Sequence, residues 1–156
     1  LCQYKGVGPA KAITILAACE VGKRRAAEPD QRKIVSSAND IYAYMRPIMC
    51  DLPHEESHIL LLNQRLQILG SRLMSRGGIT GTVVDIRMVL KEALLANATN
   101  IALAHNHPSG NLRPSREDDR LTDKVKQAAK LLDITLIDHV IVTNDGYYSY
   151  QDEGRL

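Results

Sequence analysis

The stretch IALAHNHPSGNLRPSRED, residues 101–118, contains an apolar run, a polar loop and the start of a helix. Its first four residues predict a buried strand, and Pro108 ends that strand because proline cannot donate to the ladder. The Ser-Gly pair that follows is typical of a loop. Ser115 is a suitable helix N-cap, and Asp118 then occupies the third helical position, where its carboxylate can complete a capping box. This order of elements favours a functional site over a core segment.

His105 and His107 are two residues apart, so both imidazoles point to the same side of the strand end. Together with Asp118 they form a three-ligand set that leaves a fourth tetrahedral position open, as a catalytic zinc requires. The alternative is that Ser115 and Asp118 only cap the helix, although a capping aspartate can still turn one oxygen outward. The three cysteines lie far apart in the sequence, which fits neither a disulfide framework nor a paired-cysteine zinc site.

A water activated by zinc needs a general base, and glutamate is the usual residue when the substrate is a peptide-like carbonyl. Glu55 and Glu56 are the candidates, at the start of the first strand of the main domain. Neighbouring residues on a strand face opposite sides, so only one of the two can serve. For either residue the alternative is an acidic, solvent-exposed strand end.

The remainder of the main domain predicts mixed α and β structure from its apolar periodicity and turn residues. The expected elements are a helix capped by Asn39-Asp40 and reaching about Cys50, antiparallel strands at 55–62 and 67–75, a turn at 77–78, a helix from Asp85, a strand at 100–105, a helix at 115–132, a strand at 135–143 and a hairpin turn at 144–146. The expected buried helix faces include Ile41, Met45, Ile48, Val89, Ala93, Leu94, Val125, Ala129 and Leu132. Asp138 and His139 interrupt the last long strand, either as a hydrogen-bonded structural pair or as support for a ligand imidazole.

The net charge of +2 is unevenly distributed, because residues 1–37 carry seven basic and three acidic residues. Pro29 and the basic residues around it predict a solvated linker with a boundary near residues 27–37. We therefore expect a first unit at 1–30 and a main domain at 31–156. In the first unit, Gly6 and Gly8 precede Pro9 and a helix-forming run, which predicts a turn and a short helix.

This glycine turn resembles the second half of a helix-hairpin-helix element, in which backbone N–H groups approach a DNA phosphate. The segment is expected to be partial, because the first helix of such a hairpin would precede Leu1. The resemblance implies sequence-independent DNA contacts at Gly6, Gly8 and Lys11. A glycine turn that only packs one helix on another is the alternative.

Composition limits the remaining possibilities. A chain of 156 residues allows one domain with its own core and at most a small appendage. No apolar run approaches the roughly 18 residues of a membrane helix, and no signal-peptide pattern is present, so a cytoplasmic protein with no membrane partner is expected. Phe and Trp are absent, which leaves aliphatic residues to build the core and six tyrosines to stack on bases.

The order of a glutamate, His-x-His-Pro and Ser-x-x-Asp resembles the JAMM, or MPN-type, zinc hydrolases, and residues 105–110 and 114–118 resemble the RadC branch in particular. Further similar stretches lie at 60–63, 90–94, 132–141 and 145–149, and the glycine turn resembles the RadC N-terminal region. The resemblance covers essentially the full chain. It implies a three-layer α-β-α, cytidine-deaminase-like domain with a central mixed sheet, preceded by a short helical segment.

The same resemblance implies one zinc ion per chain, with His105, His107 and Asp118 as its ligands. It implies that Ser115 holds the oxyanion of a tetrahedral intermediate, and it favours Glu55 over Glu56 as the base. One departure from the family pattern is Met88, where a glutamate usually follows the arginine. This departure touches no catalytic position.

Two functions follow as hypotheses. The first is a zinc-dependent hydrolase that cleaves an amide or isopeptide bond in a protein or peptide-like substrate. The second is a DNA-associated repair or recombination module, in which the basic first unit contacts DNA and the zinc site is structural or vestigial. Zinc binding with loss of hydrolysis in Glu55→Gln would support the first, and salt-sensitive DNA binding that requires residues 1–37 would support the second.

Overall fold

The computed structural model describes residues 3–4, 8–27, 32–77 and 84–156, with only the backbone described at 22–27. The chain divides into two compact units, Leu1–Gln31 and Arg32–Leu156. In the first unit, α1 spans Pro9–Ala27, so the helix begins at the proline, as predicted. A proline is suited to this position because the N–H it lacks would have no partner in the first helical turn.

The second unit contains three helices and five strands among its described residues. The helices are α2 (Ala38–Met49), α3 (Ile86–Leu95) and α4 (Arg116–Lys130), and the strands are β1 (Glu56–Leu62), β2 (Ile68–Arg76), β3 (Asn100–Asn106), β4 (Thr135–Val142) and β5 (Tyr147–Ser149). The five strands form one sheet in the order β2-β1-β3-β4-β5. Strands β3 and β4 are parallel and the other neighbours are antiparallel, which confirms the predicted central mixed sheet.

Helices cover both faces of this sheet, and each face has its own aliphatic core. On one face, Ile41, Met45 and Met49 of α2 pack on a set of strand residues, which are Leu60, Leu62, Ala102, Ala104, Val140 and Val142. On the other face, α3 and α4 contribute Val89, Ala93, Val125 and Ala129, and the strands contribute Ile59, Leu61, Ile101, Leu103 and Leu136. Each fully buried large aliphatic side chain stabilises the fold by about 1.5–3 kcal/mol. The predicted three-layer α-β-α architecture is confirmed.

The local predictions that fail do so at helix ends. The N-cap of α2 is Ser37 rather than Asn39-Asp40, because Asp40 falls at the third helical position and accepts hydrogen bonds from the backbone N–H of Ser36 and Ser37. Ile48 is exposed, since Met49 continues the four-residue spacing set by the buried side chains of α2. Leu94 is 54% exposed because its neighbour Ala93 takes the buried position in the last turn of α3, and Leu132 is 43% exposed because α4 ends at Lys130, two residues before it.

Of the predicted turn at 77–78, Gly78 lies outside the described residues. Asp85 caps α3, as predicted, and its carboxylate accepts from the backbone N–H of Arg87. Within the described part of the chain, no helix combines the length and the apolar character that crossing a membrane requires.

Candidate metal centre

The carboxyl end of β3 positions the two histidines. Alternation along the strand puts His105 on the face covered by α3 and α4, because Ile101 and Leu103 pack in that core. His105 is 5% exposed and His107 is half-buried just beyond the strand. The backbone N–H of His107 donates to Val142 of β4 at 3.0 Å, so the parallel neighbour still holds the chain at this point.

The first turn of α4 positions the aspartate. Ser115 is the N-cap, with its hydroxyl oxygen accepting from the backbone N–H of Asp118 at 3.1 Å. The Asp118 Oδ2 atom accepts from the Ser115 backbone N–H at 2.8 Å and from its hydroxyl at 2.7 Å. This confirms the predicted capping box. It leaves Oδ1 as the carboxylate oxygen without a capping partner.

His105, His107 and Asp118 converge on one point, as their spacing predicts. One ligand atom from each lies within 4.8 Å of the others. The two Nε2 atoms are 3.0 Å apart, His105 Nε2 is 3.4 Å from Asp118 Oδ1, and His107 Nε2 is 4.0 Å from Asp118 Oδ2. Tetrahedral zinc with bonds of about 2.0–2.1 Å separates its ligand atoms by roughly 3.3 Å. The three side chains therefore have a spacing close to that of a zinc ligand set.

The hydrogen bonds of the outer ring nitrogens leave Nε2 of both histidines free to bind. Nδ1 of His107 faces the backbone carbonyl oxygen of Asn111. A carbonyl only accepts, so Nδ1 carries the proton in the neutral ring and Nε2 carries a lone pair. Holding the outer nitrogen of a ligand histidine in this way fixes its tautomer and its ring orientation.

His105 is held by a longer chain of hydrogen bonds. The hydroxyl of Thr122 donates to the backbone carbonyl of Asp118 at 2.7 Å and lies 2.6 Å from Nδ1 of His139. With its one proton used, Thr122 accepts from Nδ1 of His139, whose Nε2 then accepts from Nδ1 of His105 at 2.8 Å. This series of hydrogen bonds begins at His105, one candidate ligand, and ends at the backbone carbonyl of Asp118, another.

This arrangement suits a cation. It places two imidazole lone pairs and one carboxylate oxygen around the same point, where they repel one another unless a positive charge lies between them. Burial raises the pKa of Asp118, but when a proton on His105 Nε2 takes the place of the cation, its hydrogen bond and charge, with the donors of Ser115, hold the pKa of Asp118 well below its ordinary value. Burial lowers the pKa of His139 well below its usual range, which keeps this ring neutral. The residues present therefore fit a divalent metal.

The register of β1 against β3 separates the two candidate bases. Ser57 pairs with His105 and His58 with Ala104, so the alternation, continued two residues beyond Ser57 and His105, predicts that Glu55 lies beside His107 on the α3 and α4 face. Glu56 lies on the opposite face. This difference favours Glu55 for the metal side, as the family resemblance implies, although its role stays a prediction.

Glu56 belongs to a separate buried network. Its carboxylate, in a residue that is 4% exposed, is contacted by Nε2 of His54 and His58 at 3.0 Å each and by Nε of Arg76 at 2.8 Å. Burial raises the pKa of Glu56, but the hydrogen bonds from His58, His54 and Arg76 lower it more, to about 2. Glu56 is therefore a charged structural group on the face away from the metal ligands.

Asp138 and His139 have different roles. His139 supports a candidate ligand, and Asp138 is part of a structural hydrogen bond. His139 supports His105 and stacks on Tyr150, with ring centroids 5.0 Å apart and planes at 8°. Asp138 faces the other way and binds the hydroxyl of Ser149 at 2.7 Å. The sequence reasoning missed Thr122, although its place four residues after Asp118 puts it on the same side of α4.

The residues assigned to DNA lie in the first unit. Gly6 is outside the described residues. Gly8 directly precedes α1, and its carbonyl accepts from the backbone N–H of Ala12 at 3.0 Å. Lys11 is exposed in the first turn of α1. DNA binding by this unit stays a prediction.

Comparison with known proteins adds the family context. The RadC-like JAB domain matches residues 35–155. A UPF0758 protein of Flavobacterium johnsoniae is 45% identical over 155 residues, which are 99% of this chain and 68% of that protein. UPF0758 proteins of Porphyromonas gingivalis and Thermotoga maritima are 43% and 38% identical, over 99% and 100% of this chain and 69% and 70% of their own lengths. The matched region includes all three candidate ligands, Glu55 and Ser115.

Proposed function

Because this chain belongs to the family of RadC-like JAB domains, we propose that it is a zinc-dependent hydrolase of an amide or isopeptide bond in a protein or peptide-like substrate. The observation that carries the proposal is the convergence of two imidazole Nε2 atoms and Asp118 Oδ1 at the end of β3. Only three protein ligands meet there among the described residues. A catalytic zinc has three protein ligands and keeps its fourth position for water or substrate.

His105, His107 and Asp118 would hold the ion. A zinc ion bound there would lower the pKa of a water and polarise a carbonyl oxygen. Glu55 acts as the general base: it accepts a proton from the attacking water and returns it to the leaving amine. Its predicted place beside His107 supports this assignment.

Ser115 has the part of an oxyanion donor. Its hydroxyl donates to Asp118 Oδ2, so it stabilises developing charge only if the hydroxyl turns from that oxygen towards the substrate. The same hydroxyl oxygen accepts from the Asp118 backbone N–H, which keeps the group in place while its proton turns. A donor held close to its final position costs little reorganisation when charge develops.

The test begins with metal analysis of the purified full chain, for which we expect one zinc ion per chain. A peptide library, including peptides with lysine isopeptide bonds, then identifies a cleaved bond. Glu55→Gln should keep the zinc and lose about 10²–10⁴-fold in kcat, the usual contribution of a general base. Glu92→Gln is the matched control, because it removes the same charge from a surface pair with Arg72 at 3.7 Å. Protein without zinc, or a Glu55→Gln variant with normal activity, would contradict the proposal.

A further inference from the structure

We propose that Asn106 is a positioning residue that fixes Glu55 relative to the two ligand histidines. The inference rests on the proposed function, because it concerns the proposed base. Asn106 lies between His105 and His107 in the sequence, and its side chain is on the other face of the sheet. It is 2% exposed. Its carboxamide is not one of the proposed metal ligands, so the hydrogen bonds that it makes need another explanation.

The carboxamide of Asn106 bridges the backbone on both sides of Glu55. Its Oδ1 accepts from the backbone N–H of Glu56 at 2.7 Å, and its Nδ2 donates to the backbone carbonyl of His54 at 2.9 Å. The orientation of the amide is unambiguous, because a backbone N–H only donates and a carbonyl only accepts. One side chain thus binds the peptide before Glu55 and the peptide after it.

A third hydrogen bond completes the restraint. The carbonyl of Glu55 accepts from the backbone N–H of Gly77 at 2.7 Å. With the peptide planes before and after Glu55 both held, its φ and ψ angles are restricted, and these angles set the direction of its Cα–Cβ bond. The restraint therefore sets the direction of the Glu55 side chain through its backbone.

The restraint occurs where the sheet itself ends. The pairing of β1 with β3 stops at Ser57 and His105, so beyond that pair the side chain of Asn106 replaces the ladder. The Glu56 carboxylate, held by His58 and Arg76, anchors the same segment from the same face. Asn106 is the residue between the two ligand histidines in the chain. Its two hydrogen bonds therefore fix the backbone of Glu55 directly relative to the backbone of both ligands.

The residue type fits this task. Aspartate has the same shape but cannot donate to the His54 carbonyl, and serine is too short to bridge two peptides. Glutamine places its carboxamide one methylene further from the backbone, so it cannot make both hydrogen bonds unless the two peptides shift. Asparagine alone among these four offers both a donor and an acceptor at the observed reach.

The experiment compares Asn106→Ala with Asn100→Ala in the full chain with zinc added. Asn100 is a matched control, because at the other end of β3 its Nδ2 donates to the backbone carbonyl of Asn63 at 3.0 Å. Amide hydrogen exchange is followed at Gly77, whose N–H donates to Glu55 and does not touch Asn106. We expect exchange at Gly77 to rise about fivefold to tenfold in Asn106→Ala, the loss expected for one hydrogen bond, and to stay unchanged in Asn100→Ala.

The activity arm uses the peptide that the library identifies. We expect kcat of Asn106→Ala to fall about 100-fold, as for a misplaced catalytic group, while zinc affinity changes less than about twofold. If the alanine variant does not fold, Asn106→Asp replaces it in the experiment. Aspartate keeps the acceptor for the Glu56 N–H and loses only the donor to the His54 carbonyl. We expect it to lower kcat with the Glu56 amide still protected.

Two results overturn the inference. The first is exchange at Gly77 that is unchanged in Asn106→Ala, or raised equally in Asn100→Ala. The second is a loss of zinc affinity that accounts for the loss of kcat, since this would make Asn106 a support for the ligands. Failure of the proposed function is distinguishable, because it appears as normal activity of Glu55→Gln or as absent zinc.

Discussion

Replacing His139 with leucine tests whether the buried hydrogen-bond chain behind His105 matters for metal binding. His139 is 1% exposed and accepts from Nδ1 of His105 at 2.8 Å. Leucine fills much of the same volume but accepts nothing, so His105 keeps a buried N–H without a partner. Such a group costs about 1–3 kcal/mol, and the lost stacking on Tyr150 adds about 0.5–1.5 kcal/mol. We expect the free energy of unfolding to fall by about 1.5–4.5 kcal/mol in all.

Zinc affinity provides the discriminating measurement. Without its acceptor, His105 is free to move its proton to Nε2, the atom that faces Asp118 Oδ1 at 3.4 Å. Loss of such a support typically weakens metal binding about 10–100-fold, or about 1.4–2.7 kcal/mol. Competition with a zinc-binding dye measures the Kd, and urea unfolding without zinc measures stability. His139→Gln should recover part of the affinity, because its amide oxygen can accept from His105.

Ser149→Ala is the control for a purely structural loss. It removes the hydrogen bond to Asp138, which lies on the opposite face of β4 from His139. We expect it to lower stability while leaving the zinc Kd unchanged. The reasoning is refuted if folded His139→Leu binds zinc within about twofold of the unchanged chain, or if Ser149→Ala weakens zinc binding equally.

Two further predictions concern the charged groups away from the centre. The pKa of Glu56 is held at about 2, below its ordinary 4.5. Its contribution to stability is therefore complete above pH 4.5 and is lost as the pH falls towards 2. In urea unfolding, Glu56→Gln should lack this part of the acid sensitivity, and an unchanged pH profile would contradict the prediction. For the first unit, duplex DNA binding should weaken steeply with salt, and Lys11→Ala should reduce the slope of log K against log salt by about 1. Binding that does not change with salt would refute a phosphate contact there.

Much of the fold was accessible from local patterns. The capping box at Ser115, the helix start at Pro9 and the antiparallel pair β1 and β2 all follow from residues close together in the chain. The predictions at Ile48 and Leu94 failed because apolar periodicity leaves neighbouring residues as alternatives for a buried position, and packing on the sheet selects Met49 and Ala93. The buried extent of a helix face depends on elements distant in sequence.

The candidate site shows the same division. The sequence by itself determined the set His105, His107 and Asp118, because these residues lie within fourteen positions on a strand end and the following helix start. Only the tertiary structure gives the strand register from which we infer that Glu55 shares their face, and only it shows that His139 and Thr122 hold His105 and that Asn106 bridges the backbone around Glu55. The contacts made by residues of β1, β3 and β4 depend on the register between strands some fifty or thirty residues apart, and a shift of one residue would exchange the faces of their side chains; the contact of Thr122 depends in addition on how α4 packs on β4.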